Sequence, residues 1–307
     1  AEAARKLVAA GVAGAAATAG ATAETVHGSS TEKTGAQSES GSQTSDNVTP
    51  DKEASTIAPQ RSSASTEFPR VEFTQAMKDA GYTILAPQMA PIHFDLLLPI
   101  FRANGYNLEL LPSVDHGAVD AGLRYVNNDI CYPSILVTGQ IMEAVTSGRY
   151  DTDKLAVLIT QTGGGCRATN YISLIRKALR AAGLGHIPVI SLALQNNLDE
   201  SNEGFKITPS MLQQALYALS YGDLLMTALY RCRPYEAEPG AAENLFNQWI
   251  ATCAKQIESG ESRKRFAHTV RAIVDDFDTL PLVGEGSKPR VGVVGEILVK
   301  FHPTANN

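Results

Sequence analysis

From Phe68 onward, short apolar runs alternate with segments whose apolar residues recur at helical spacing. The apolar runs predict strands at 82–86, 108–111, 155–160 and 188–192. The segments between them predict helices around 94–104, 118–127, 133–142 and 171–182. Strands that alternate with helices in this way are typical of a mostly parallel sheet covered by helices on both faces. We therefore expect an α/β domain of the Rossmann or flavodoxin-like class over residues 67–208.

The pattern changes after residue 208, where the strand-like runs stop. Apolar residues at helical spacing predict three helices, at 209–231, 241–258 and 262–278, and we assign residues 209–287 to a helical extension. A new apolar run from Arg290 to Val294 then predicts a strand. We expect residues 288–307 to form the first strand and turn of a truncated further α/β unit.

Composition sets the first 66 residues apart from the rest. All twenty Phe, Tyr and Trp residues lie at or after Phe68, and residues 25–66 are rich in Ser and Thr. Such a segment cannot bury enough apolar surface to offset its chain entropy, so residues 1–66 are predicted to be a flexible tether or linker. Arg5 and Lys6 precede an Ala-rich stretch in the manner of a secretory leader, so a native linker and a processed leader both stay open.

The charge balance argues against several classes of partner. Lys and Arg number 26 against 32 Asp and Glu, which gives a net charge of −6 and a pI near 5.6. Nucleic-acid binders usually carry a basic stripe, so we expect no nucleic-acid partner.

No run of about 18 strongly apolar residues indicates a membrane span, and four cysteines are too few for a disulfide scaffold. We expect a cytoplasmic protein whose cysteines serve packing, catalysis or metal binding.

Two of the four cysteines occupy comparable positions, each just before a predicted helix. Cys131 precedes Pro133, which suits the first turn of a helix, and Cys166 follows Gly163-Gly164-Gly165 after the clearest strand. The N–H groups and the dipole of a helix N-terminus stabilise a thiolate. In a parallel sheet such turns meet at the carboxyl ends of the strands. Cys131 and Cys166 are therefore candidate ligands of a metal ion or cluster.

The glycines and Cys166 allow other interpretations. Gly163, Gly164 and Gly165 could cradle a phosphate with backbone N–H groups, although they match neither of the common nucleotide-binding motifs. Cys166 on a sharp turn could also be a nucleophile. That chemistry would need a His base, which the sequence does not place beside it.

The other two cysteines are left out of the candidate site. Cys253 falls on the apolar face of a predicted helix and is expected to be buried. Cys232 lies between two arginines and is expected to have a lowered pKa, but the sequence offers it no partner. His93 and His302, each beside a Pro-containing turn, are predicted to be structural or solvent-facing.

Four separated motifs resemble a known family. They are ILAPQMAPIHFD at 84–95, YVNNDICYP at 125–133, QTGGGCRATNY at 161–171 and VGEILVKFHPTANN at 294–307. Together they resemble the C-terminal portion of the large acyl-CoA dehydratase activase-related proteins, which are relatives of the 2-hydroxyacyl-CoA dehydratase and benzoyl-CoA reductase system. The resemblance covers about residues 70–307 and leaves out the Ala/Ser-rich start.

The resemblance implies a division of labour between modules. Activator modules with an actin-like ATPase fold hydrolyse ATP and pass low-potential electrons onward, and dehydratase-like modules hold an iron–sulfur cluster on loop cysteines. This chain resembles the second type, so the resemblance implies electron relay to an acyl-CoA or a partner, with Cys131 and Cys166 as cluster ligands. A [4Fe–4S] cluster usually has three or four protein ligands, so we expect an incomplete site whose catalytic residues stay unassigned.

Overall fold

A computed structural model of the protein describes residues 70–112, 116–127, 129–161, 170–193, 202–289, 291–292, 294–296 and 300. All of these residues belong to one compact unit, Pro69–Asn307. The tether predicted at 1–66 lies outside the described residues, so it stays a prediction.

The strands of the described ranges form one parallel sheet. They are β1 (Thr83–Ala86), β2 (Asn107–Leu110), β3 (Leu155–Gln161) and β4 (Val189–Ala193). Their spatial order is β2-β1-β3-β4, and every neighbouring pair is parallel. Each strand lies within one or two residues of a predicted apolar run. The prediction of a parallel α/β sheet is therefore confirmed.

Helices cover both faces of this sheet. Those described are α1 (Gln75–Asp79), α2 (Pro91–Ala103), α3 (His116–Tyr125), α4 (Tyr132–Thr146), α5 (Tyr171–Ala181), α6 (Pro209–Cys232), α7 (Ala241–Glu258) and α8 (Arg263–Asp278). The start of α2 precedes the prediction by three residues because Pro91, whose fixed backbone angle suits a helix start, occupies its first position. None of these helices combines the length and apolarity that crossing a membrane requires.

The strand order places a topological switch between β1 and β3. Thr83 of β1 is in register with Asn107 of β2 on one side and with Leu155 of β3 on the other. The chain therefore passes from β1 to β2 on one side of β1, and later crosses to β3 on the other side. Because such crossovers are right-handed, helices end up on opposite faces of the sheet. In open parallel sheets, the crevice at such a switch is where ligands bind.

The sheet has a hydrophobic core on each of its faces, and neighbouring residues of one strand contribute to different cores. Ile84 belongs to a cluster with the apolar faces of α2, α6 and α7, whereas Leu85 belongs to a cluster with α4 and α5. Ala156 and Val157 of β3 divide in the same way. Strands β1, β3 and β4 are mostly apolar because both of their faces are buried, whereas Asn107 and Glu109 of the edge strand β2 are exposed.

Two glycines allow α3 and α4 to pack closely as an antiparallel pair. A Cβ placed on Gly139 would overlap the carbonyl oxygen of Ala118, and one on Gly122 would overlap that of Ile135. Helix α4 is consequently buried along nearly its whole length, from Pro133 to Val145. This pair of helices holds Cys131, which directly precedes α4.

The second layer of helices, formed by α6, α7 and α8, encloses a polar network. Tyr221 of α6 is fully buried, and its hydroxyl donates a hydrogen bond to Glu261 Oε2 at 2.8 Å. Glu261 Oε1 accepts hydrogen bonds from Arg265 Nε at 2.9 Å and from the Ser262 N–H at 2.8 Å. Burial, followed by the hydrogen bond to Glu261, raises the pKa of Tyr221. These bonds tie α6 to the turn between α7 and α8.

The end of the chain leaves one prediction open. Val291, Gly292 and Val294 are described and belong to no strand, while Arg290 and Val293 lie outside the described residues. The strand predicted at 290–294 therefore stays a prediction.

Candidate functional site

Three helices begin at the carboxyl edge of the sheet, the edge at which the strands end. Helix α2 begins five residues after the end of β1, and α5 begins ten residues after the end of β3. Helix α4 also begins here, because Cys131 Sγ lies 3.6 Å from the hydroxyl oxygen of Tyr171, the first residue of α5. This edge is where the sequence placed the candidate site.

Cys131 is the N-cap residue of α4, with extended backbone angles of φ −70° and ψ 142°. Its carbonyl oxygen accepts hydrogen bonds from both the N–H and the hydroxyl of Ser134, which fixes the first turn. Its side chain makes no capping bond and is half-buried. The thiol is therefore available for chemistry, and its one described polar contact is the nearly buried Tyr171 hydroxyl.

The other predicted site residues lie outside the described residues. These are Cys166 and the three glycines Gly163, Gly164 and Gly165. Five positions separate Cys166 from Gln161, the last residue of β3, and five separate it from Tyr171. The chain on both sides of Cys166 is thus fixed at the carboxyl edge, and on the α5 side it reaches the residue that contacts Cys131.

The helix starts at this edge share a property that sequence reasoning missed. The N-cap residues of α2, α4 and α5 are Ala90, Cys131 and Asn170, and none of their side chains accepts a hydrogen bond from the helix. The N-cap side chains of α1, α6 and α8 each accept one. The positive end of a helix dipole, where no N-cap side chain occupies the first N–H groups, favours a negatively charged ligand.

Two polar atoms, one in the turn after β1 and one in the middle of α4, are buried with no hydrogen-bond partner in the described residues. Gln88, in the turn after β1, is 8% exposed, and its carbonyl oxygen lies 3.5 Å from Gln140 Nε2 of α4. Gln88 Oε1 and Thr138 Oγ1 of α4 make no hydrogen bond within the described part of the chain. A buried polar atom usually has a partner, so these two mark places where a ligand, water or ion would be stabilised. Gln88 lies within the motif at 84–95, but the sequence suggested no role for either residue.

Two cysteines lie away from the edge, in the second layer of helices. Cys253 is fully buried, as predicted, and burial raises its pKa to about 12. The prediction of a lowered pKa for Cys232 is wrong: burial raises the pKa of Cys232, and this effect outweighs the opposing influence of Arg231. Neither thiol is suited to ligation at neutral pH.

His93, at the third position of α2, serves packing rather than an open ligand position. Its Nε2 lies 2.9 Å from Asp223 Oδ1 of α6. Its ring lies against Gly222, where a Cβ would approach His93 Cδ2 to 2.6 Å. The sequence prediction of a structural or solvent-facing His93 agrees with this contact, and His302 lies outside the described residues.

The described residues offer the type of donor atom that an iron–sulfur cluster needs, but they offer too few of these donors. Cys131 offers the thiolate that such clusters prefer. Within the described ranges, no group of three or more His, Cys, Asp or Glu side chains converges to hold a metal ion. Any further ligands would have to come from residues outside those ranges, of which Cys166 is the predicted one.

Comparisons with known proteins leave the family open. The chain matches no protein-family model, and a search of curated proteins finds no significant relative.

Proposed function

We propose that this protein is an iron–sulfur cluster-binding redox module related to the activases of 2-hydroxyacyl-CoA dehydratases. It would receive low-potential electrons from an ATP-hydrolysing activator and relay them to an acyl-CoA or a partner protein. The observation that carries the proposal is the contact between Cys131 and Tyr171. It brings the start of α4 to the helix that follows the Gly-Gly-Gly-Cys segment, so two helix starts with a cysteine nearby meet at one edge.

The geometry around Cys131 suits a ligand of net negative charge. A cluster bound by several thiolates is such a ligand, and it supplies one-electron chemistry when present. The positive dipole ends at the starts of α4 and α5, where the N-cap side chains make no capping bond, favour negative charge at this place. The Tyr171 hydroxyl can donate a hydrogen bond to the Cys131 sulfur, and such bonds tune the properties of a thiolate ligand.

Anaerobic reconstitution with iron and sulfide tests the proposal. We expect a broad absorbance near about 400 nm and bound iron, both of which fall in Cys131→Ala and in Cys166→Ala. Cys253→Ala and Cys232→Ala are matched controls, since both thiols are buried in the second layer of helices. Equal iron content in the wild type, Cys131→Ala and Cys166→Ala would overturn the proposal.

A second candidate is a non-redox module that binds a phosphate of CoA or a nucleotide at Gly163–Gly165. The observation that favours it is that the N-cap side chain of α5, Asn170, makes no capping bond, because N–H groups at a helix start also bind phosphate. Calorimetry with an acyl-CoA on iron-free protein separates the two functions. Binding that survives Cys131→Ala and Cys166→Ala supports the phosphate site, and no heat of binding contradicts it.

A further inference from the structure

Helix α6 exposes a stripe of leucines that nothing in the described part of the chain covers. Leu212, Leu216 and Leu219 are 48%, 59% and 40% exposed. Their spacing of four and three residues aligns them on one side of the helix. The opposite side of α6 is already buried against α2, α7 and α8 through residues such as Ala218 and Leu225. A surface helix normally has a polar outer face, so this second apolar stripe indicates a binding surface.

The same surface is almost free of charge. From Pro209 to Tyr230, the only charged residue of α6 is Asp223, although the whole chain carries 58 charged side chains. The polar residues that flank the stripe are uncharged, as at Gln213 and Ser220. Two copies of an acidic protein repel each other unless the surfaces that meet carry little charge. An uncharged stripe on a chain of net charge −6 therefore suits a second copy of the same surface.

We infer that α6 docks against α6 of a second copy of this chain, antiparallel, about a two-fold axis near Leu216. In this arrangement Leu216 meets its own counterpart, and Leu212 of each copy packs against Leu219 of the other. A two-fold interface must be self-complementary in this way. The leucines of the two helices then cover each other from solvent.

Charge selects the antiparallel arrangement. Asp223 lies seven residues after Leu216, and Pro209 lies seven residues before it, so Asp223 of one copy comes to the start of α6 in the other. That start carries the positive end of the helix dipole and the exposed Lys206, whose ammonium makes no ion pair within the described residues. Asp223 is 75% exposed and can reach such a partner while it contacts His93. A parallel pair would instead bring the two Asp223 carboxylates together.

The size of the surface sets the expected affinity. The three leucines span eight residues, or about 10 Å of helix, and the segment from Pro209 to Asp223 spans about 21 Å. A single pair of helices of this length buries less area than the about 1,200 Å² of a small stable interface. We therefore expect a reversible dimer with a dissociation constant in the micromolar range.

Sedimentation of the full chain at about 5 to 500 µM tests the dimer. We expect a monomer–dimer equilibrium that Leu216→Glu weakens by about 100-fold or more, because two glutamates would face each other at the axis. Leu123→Glu is the matched control, since Leu123 of α3 is also 48% exposed and lies away from α6. A monomer at every concentration, or a dimer that Leu216→Glu leaves unchanged, would overturn the inference.

Cross-linking and charge reversal test the orientation. Under mild oxidation Leu216→Cys should form a disulfide-linked dimer above the wild-type background. Thr227→Cys should not, because antiparallel pairing separates the two copies of residue 227 by about 33 Å. Lys206→Glu and Asp223→Lys should each weaken the dimer, and the double variant should recover most of the loss. Equal cross-linking at both positions, or no recovery in the double variant, would contradict antiparallel docking.

Discussion

The carboxyl edge of the sheet and the second layer of helices differ in how far their polar groups are hydrogen-bonded. In the layer, the starts of α6 and α8 are capped by side chains, and the buried Tyr221 is satisfied by Glu261. At the edge, the N-cap side chains of α2, α4 and α5 make no capping bond, and Gln88 Oε1 is buried with no hydrogen-bond partner among the described residues. Both regions come from one compact unit, so the difference is local. It teaches that the layer is built for stability, whereas the edge keeps donors and acceptors for a ligand.

Removing the central carboxylate of the layer should have the largest effect on stability. Glu261→Ala removes the shorter of the two acceptors of the buried Tyr221 hydroxyl, leaving only Gln256 Oε1 at 3.3 Å, and it removes the carboxylate partner of Arg265. We expect the free energy of unfolding to fall by about 4 kcal/mol, since breaking a buried charged network is costly. Urea denaturation of iron-free protein measures this change. Glu258→Ala, which removes an exposed carboxylate of α7, should change stability by less than about 0.5 kcal/mol. A loss below about 1 kcal/mol in Glu261→Ala would show that the network does not stabilise the layer.

Adding a methyl group between α3 and α4 should have the next largest effect. The Cβ of Gly139→Ala would overlap the carbonyl oxygen of Ala118, so the two helices must separate. We expect a loss of about 2–3 kcal/mol in the free energy of unfolding. Because Cys131 is the N-cap residue of α4, we also expect less iron to bind on reconstitution. Gly292→Ala is the control, since a Cβ at Gly292 meets no atom within 4 Å. Unchanged stability in Gly139→Ala would contradict the close packing of this pair.

Thiol chemistry should distinguish the two regions directly. In the native protein at pH 8, iodoacetamide should label Cys131 at least about 100-fold faster than Cys253. The reason is that Cys131 is half-buried, whereas Cys253 is fully buried and has its pKa raised to about 12. Peptide mass mapping after timed quenching measures the rate at each cysteine. The difference should vanish in denaturant, which serves as the control. Comparable native rates would mean that the layer opens as readily as the edge.

The sequence predicted the elements of this fold far better than the geometry of the site. The central strands were evident because parallel strands buried on both faces are continuously apolar, as at 155–160, whereas the edge strand β2 alternates polar and apolar residues. The helix at 241–258 has the predicted bounds because its apolar residues repeat on one face. Helix α4 was recognised from Pro133 at its start. Periodicity does not show, however, that this helix would be buried on all sides.

The parts of the site that could not be predicted depend on contacts between distant segments. The contact between Cys131 and Tyr171 joins residues 40 positions apart, and no local pattern encodes it. The raised pKa of Cys232 comes from burial, which outweighs the adjacent Arg231 that the sequence displays. The side chains of Ala90 and Asn170 make no capping bond, and only the hydrogen bonds of the folded helices show this.

The smallest effect concerns a cap in the layer and its dependence on pH. The Glu236 carboxylate accepts hydrogen bonds from the Gly240 and Ala242 N–H groups, both at 2.8 Å, and these hold the pKa of Glu236 below its usual value. A carboxyl whose pKa is lower in the folded state stabilises the fold above its ordinary pKa of about 4.3. That contribution is lost as the pH falls through the lowered value.

Glu236→Gln should therefore be less stable than the wild type at pH 6, and the two should converge as the pH approaches about 3. Urea unfolding of both proteins across this range measures the difference. Asn170→Ala supplies the counterpart at the carboxyl edge, where the N-cap side chain makes no capping bond, and it should change stability at neither pH. A difference between Glu236→Gln and the wild type that stays constant with pH would mean that the carboxylate charge does not act on the start of α7. A loss in Asn170→Ala as large as that in Glu236→Gln would remove the contrast between the two regions, because the edge would then be capped as the layer is.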